Sequence, residues 1–122
     1  MTNKKPTVIG KEFYDSIIAF NPNEIEAWDL GFMTEMASGQ LGDILDGSES
    51  EPEPYDGPDK ALLKEYEDAS KLFSARNKIV YRALVKSLSR YDISAVNLIK
   101  DAPRFDGRKA YLGLGSIIST QH

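Results

Sequence analysis

With 122 residues, no cysteine and a net charge of −4, the chain has room for one domain with its own core and none for two ordinary ones. The missing thiols exclude disulfides, thiolate zinc sites and zinc knuckles, and no apolar run approaches the roughly 18 residues of a membrane span. The opening M-T-N-K-K-P-T-V-I-G lacks the apolar stretch of a signal peptide, so the expectation is a soluble, cytoplasmic protein with no membrane partner.

Residues 1–9 read as an extended arm ending in Thr7-Val8-Ile9. A first helix is expected from Gly10 to Phe20, where Phe13, Tyr14, Ile17 and Ile18 make an apolar stripe. Asn21-Pro22-Asn23-Glu24 then carries the marks of a helix start. Asn21 suits the N-cap, Pro22 the first helical position and Glu24 the capping-box acid. The second helix shows Ile25, Trp28, Phe32 and Met36 on one face, with Trp28, the sole tryptophan, as candidate core anchor. Gly31 inside it marks a close helix crossing, since a mid-helix glycine costs about 1 kcal/mol relative to Ala. Leu41, Ile44 and Leu45 form a short third helix that Gly47 ends.

Residues 48–58, S-E-S-E-P-E-P-Y-D-G-P, have no apolar period and read as an acidic, proline-bearing connector. Asp59 caps the long helix after it. From Lys60 to Arg90 there is no Gly or Pro, and Leu62, Tyr66, Ala69, Phe73, Val80, Ala83, Leu84 and Leu88 keep one stripe. A helix of that length is long for so small a domain, which leaves room for a bend or a break near Ser70, Ser74 or Asn77. Asp92 caps a short helix with Ile93, Val96 and Ile99 inward. Asp106-Gly107 opens the last helix, with Ala110, Tyr111, Leu114, Ile117 and Ile118 apolar and Gly113 and Gly115 weakening it. The whole is an all-α bundle of five to seven helices in one domain, 1–122.

Charge divides the chain. Residues 1–58 hold three Lys against twelve Asp and Glu, while residues 59–122 hold twelve Lys and Arg against seven acids. Such halves pair internally, or let one copy attract the next. Lys78, Arg82 and Lys86, spaced by four, form a candidate ridge toward a neighbouring subunit or RNA. Glu49, Glu51 and Glu53 form the candidate acidic contact loop.

Nothing in the sequence reads as catalysis or cofactor binding. The only histidine is His122, so nucleophile schemes lack their base. Gly113-Leu114-Gly115 sits in a helical pattern and no G-K-[ST] is present, so no phosphate loop or dinucleotide fingerprint exists. Asp43, Asp46, Glu49, Glu51 and Glu53 miss the spacing of a calcium loop. The expectation is a protein that is not an enzyme and has no metal, cofactor or small-molecule substrate.

The order of these pieces resembles the Gag capsid region of copia-type LTR retrotransposons, over roughly residues 16–118. Trp28 with Met33 matches the family's Trp–Met helix, and Leu41 to Leu45 its short apolar turn. Asp46-Gly47 then leads into Glu51-Pro52-Glu53-Pro54, the acidic, proline-rich linker. Ala75 to Leu88 matches the long helix. Asp106-Gly107-Arg108-Lys109-Ala110-Tyr111-Leu112 matches the last-helix signature, with Tyr111 where Trp is common. The resemblance implies a capsid N-terminal-domain-like fold that self-associates into virus-like particles enclosing the element's RNA. The alternative reading is a small acidic helical protein-binding module, a phage-type inhibitor docking on a host protein through residues 43–59.

Overall fold

One helix organises the molecule. The computed structural model of the protein describes residues 10–120, with side chains through Ile117. The arm expected at 1–9, His122 and the side chain of Ile118 lie outside the described residues. Five α-helices and one 3-10 segment follow in order: α1 Lys11–Asp15, α2 Ile25–Ser38, α3 Gly42–Asp46, α4 Lys60–Tyr91, the 3-10 segment Ile93–Ile99, and α5 Gly107–Thr120. There is no strand among the described residues. The fold is all-α.

Local chemistry sets the limits of α4. The Asp59 carboxylate accepts from the backbone N–H groups of Ala61 (2.9 Å) and Leu62 (3.2 Å), satisfying two of the donors a helix start leaves open. No Gly or Pro interrupts the helix before Asp92, whose backbone is extended and whose carboxylate accepts from the N–H and hydroxyl of Ser94. Those two bonds, the backbone one first, hold the Asp92 carboxyl below its ordinary range.

The core forms along the C-terminal two-thirds of α4. Phe73, Val80, Ala83, Leu84 and Leu88 are buried there. Against them lie Ile17, Phe20, Trp28, Phe32, Met36, Leu41, Ile44, Ile99, Ala110 and Leu114. Each large apolar side chain among these contributes about 1.5–3 kcal/mol by leaving water. Aromatic rings run through the core in sequence: Phe20 stands edge-on to Trp28, Trp28 stacks on Phe32, and Phe32 on Tyr111, with centroids 5.0, 5.3 and 6.2 Å apart. α5 crosses α4 at Gly107. A Cβ there would lie 2.4 Å from the Tyr81 nitrogen and 2.5 Å from the Asn77 carbonyl oxygen, so the two backbones meet where only glycine fits.

Several expectations are corrected. The first helix stops at Asp15 instead of Phe20. The Ser16 hydroxyl bonds back to the Phe13 carbonyl, and the following residues turn to α4: Phe20 N–H donates to the Ser87 carbonyl, and the Ser87 hydroxyl to the Ile18 carbonyl. Ile17 and Phe20 reach the core from irregular backbone. The second helix starts at Ile25, because the Asn21 side chain accepts from Asn23 N–H in an Asx turn before it, leaving Glu24 as N-cap without a side-chain bond. A Cβ on Gly31 would fall 2.5 Å from Ile18 Cδ1, so its close neighbour is this irregular segment, not a helix. α4 has no break at Ser70, Ser74 or Asn77. The segment after Asp92 is 3-10.

Candidate functional site

The acidic connector is fixed at its root. α3 ends at Gly47 in the left-handed region (φ 86°), as the Asp46-Gly47 pair leads one to expect. A Cβ on Gly47 would also lie 2.9 Å from the Arg108 guanidinium, which donates to the Ile44 and Leu45 carbonyls at the end of α3. Two residues on, Glu49 receives Arg76 of α4 in a two-pronged ion pair, Nε to both carboxylate oxygens (3.2 and 3.0 Å) and Nη2 to one at 3.0 Å. Arg76 is 2% exposed and Glu49 16%. The same guanidinium donates to the Gln40 carbonyl. Gln40 sits at φ 62°, an unusual angle for a residue other than glycine. A buried guanidinium is tolerable only with its donors matched in this way.

Asn77, one residue on, ties the start of α5 to α4. Its side-chain nitrogen donates to the Asp106 carboxylate (3.0 Å) and its oxygen accepts from Arg108 N–H (2.8 Å). Asp106 in turn accepts from Lys109 N–H as the cap of α5. Beside this junction lies a groove of about 570 Å³. Lys78, Arg104, Lys109 and Phe105 line it, and Glu51 from the connector closes one side. Phe105 is held at φ 64°. The Lys78 ammonium lies 4.5 Å and the Arg104 guanidinium 5.0 Å from its ring centre, each a cation–π contact.

The structure therefore separates the residues that spacing had grouped. Glu49 is an internal ion-pair partner, whereas Glu51 and Glu53 are exposed. On α4, Lys78 is drawn onto Phe105, Arg82 is exposed and Lys86 is half-buried. Lys78 and Glu51 share the groove; Arg82 and Lys86 do not line it. Trp28 is buried, its indole N–H donating to the Ser87 hydroxyl at 2.8 Å. Sequence reasoning missed Arg76, Asn77 and Arg108. The signal for the first two was their phase: both fall between Phe73 and Val80, on the core side of α4.

Tyr111 is a further polar contact inside the bundle. Its hydroxyl donates to Asp29 of α2 at 2.5 Å. Burial first, then the bond to Asp29 and its negative charge, push the phenol well above its ordinary range, so it stays a donor. Among the described residues no group of three or more His, Cys, Asp or Glu is placed to hold a metal ion, and no helix is long and apolar enough to cross a membrane.

Fold and surface together define a small all-α protein with a polar-pinned core, an anchored acidic connector and cationic side chains beyond it. Comparison with protein-family models, with curated proteins and with solved structures gives no significant match.

Proposed function

We propose that this chain is a structural, self-associating domain of the Gag capsid type, whose copies meet through surfaces of opposite charge. One observation carries the reading. The connector is pinned at Glu49 and then displays Glu51, Glu53 and Asp56 to solvent, while the later half of the chain exposes cations that include Arg82, Lys100, Arg104 and Lys109. A pinned acidic loop presents its charge at a defined place, so it suits a repeated contact better than a free tether would. Heterologous contacts of this kind extend or close according to their rotation, and shells are built from many that are individually weak. The order of motifs from Trp28 to Tyr111 supports the same class. RNA is a secondary partner in this reading, met by the cations that subunit contacts leave open.

Light scattering over a concentration series tests it, with electron microscopy of the same samples. At low salt the mass rises with concentration; at high salt, or with Glu51→Gln and Glu53→Gln together, the rise is lost while helicity is kept. A mass at hundreds of micromolar that is the same at low and high salt, with no particles, sinks the proposal.

A further inference from the structure

More positive charge lines the groove beside Asn77 than its own copy neutralises. Lys78, Arg104, Arg108 and Lys109 stand there against only Glu51 and Asp106, four cations against two acids. Asp106 is bound to Asn77, and Arg108 to the α3 carbonyls. Among the described residues Lys78, Arg104 and Lys109 enter no ion pair, and neither do Glu51, Glu53 and Asp56 of the connector. Opposite charges thus stand side by side in one copy without closing on each other.

Chain reach accounts for this. The connector is tied to Arg76 at Glu49 and to the start of α4 at Asp59, whose N–H donates to the Tyr55 hydroxyl. Those anchors are about 25 Å apart along the helix at 1.5 Å per residue. The chain from Glu49 to Asp59 reaches at most about 35 Å. It therefore runs back extended toward the helix start, and residues 51–56 contain no turn. Pro52 and Pro54 hold Glu51 and Glu53 extended as well. Alongside, no residue of α4 from Lys60 to Leu72 is buried. The groove takes its α4 residues from Phe73 onward, so Glu53 and Asp56 are carried away from the groove of their own copy.

We propose that the groove receives Glu51-Pro52-Glu53-Pro54 from the connector of a second copy. This names the two surfaces of the charged contact proposed above and rests on that reading. The incoming acids supply the two negative charges that the groove lacks. The prolines lie on Phe105 and Leu112, which are 38% and 50% exposed, as extended proline-bearing segments lie in aromatic-lined grooves. The segment is straight before it binds, so little ordering cost is added. Phe105 is kept at φ 64°, a strained setting of the kind found at binding sites. Arg82 and Lys86 take no part, since neither lines the groove.

A synthetic peptide of residues 50–57, titrated into the isotope-labelled protein and read by amide resonance shifts, tests the contact. We expect saturable shifts at Phe105 and Lys109. Arg104→Glu with Lys109→Glu, both exposed positions, weakens binding about tenfold or more, with unchanged circular dichroism. Arg82→Glu with Lys100→Glu makes the same change in net charge outside the groove and leaves binding within about twofold. The peptide carrying Glu51→Lys and Glu53→Lys binds the Arg104→Glu, Lys109→Glu protein in preference to the unaltered one. Equal weakening by the two pairs of substitutions overturns the proposal, because it reports attraction to net charge alone. So does a peptide that shifts nothing at Phe105 at millimolar concentration. Displacement by inorganic phosphate but not by chloride of equal ionic strength also overturns it, and makes the groove a phosphate site. Light scattering of the same variants separates this contact from the reading beneath it. A mass that rises at low salt and ignores Arg104→Glu with Lys109→Glu keeps the charge reading and removes the groove. A peptide seated in the groove while the mass never rises keeps the groove and removes assembly.

Discussion

The indole N–H of Trp28 donates to the hydroxyl of Ser87 at 2.8 Å, and that hydroxyl donates at 2.6 Å to the carbonyl of Ile18. One buried oxygen thus joins α2, α4 and the irregular segment between α1 and α2. Ser87→Ala leaves a buried donor and a largely buried acceptor without partners. We expect a loss of about 2–3 kcal/mol in stability, read from urea unfolding followed by the emission of the single tryptophan.

Glu49 and Arg76 give the second test. Glu49→Gln takes the two-pronged carboxylate of Glu49 away from a guanidinium that is 2% exposed. The expected cost is about 3 kcal/mol, the low end for breaking a buried pair because Glu49 is not fully enclosed. The double variant Glu49→Leu with Arg76→Met removes both charges and recovers most of that loss. Thermal unfolding of the three proteins at one pH checks the ordering.

The glycines of α5 separate cleanly. Gly107→Ala forces a methyl against the backbone of Tyr81 and Asn77, where neither atom is free to yield. We expect about 3 kcal/mol of destabilisation from this overpacking. Gly113 faces open space, so Gly113→Ala gains helix propensity, about 1 kcal/mol of stabilisation at most. Urea midpoints of opposite sign verify the pair.

Stability at high pH follows from Tyr111. Its phenol has a folded pKa raised above the unfolded value, chiefly by burial and then by Asp29. A raised group contributes fully below the unfolded pKa, near about 10. That contribution is lost as pH rises from there through the folded value. We expect urea midpoints to fall above that pH, and to fall less steeply in Tyr111→Phe, which lacks the titrating hydroxyl.

The parts of the fold that were legible in the sequence are those decided by neighbours in the chain. Asp59 and Asp92 cap because their carboxylates reach N–H groups two and three residues on, and Gly47 stops α3 because it alone tolerates the left-handed turn. The stretch from Ser16 to Phe20 misled because its spacing is helical while Ile18 and Phe20 place their backbone hydrogen bonds on Ser87, a partner from the other half of the chain. Arg76 and Asn77 were hidden for a related reason. A charged or amide group on a core face is only explicable once Glu49 and Asp106 are brought to it. At the surface, the acids of the connector read as one cluster; only the ion pair to Arg76 divides Glu49 from Glu51 and Glu53.

α4 runs unbroken for 32 residues, rooted in the core at one end and bare at the other. That makes it a ruler of about 48 Å. Whatever meets that bare end is held at a set distance and bearing from the body that contains Trp28, with no joint between them to absorb an error. Inserting four residues after Ser70 would swing the bare end by about 40° and push it about 6 Å outward; seven would push it about 10 Å and nearly restore its bearing. The spacing and tilt of neighbouring bodies are thereby written in the residue count of a single helix.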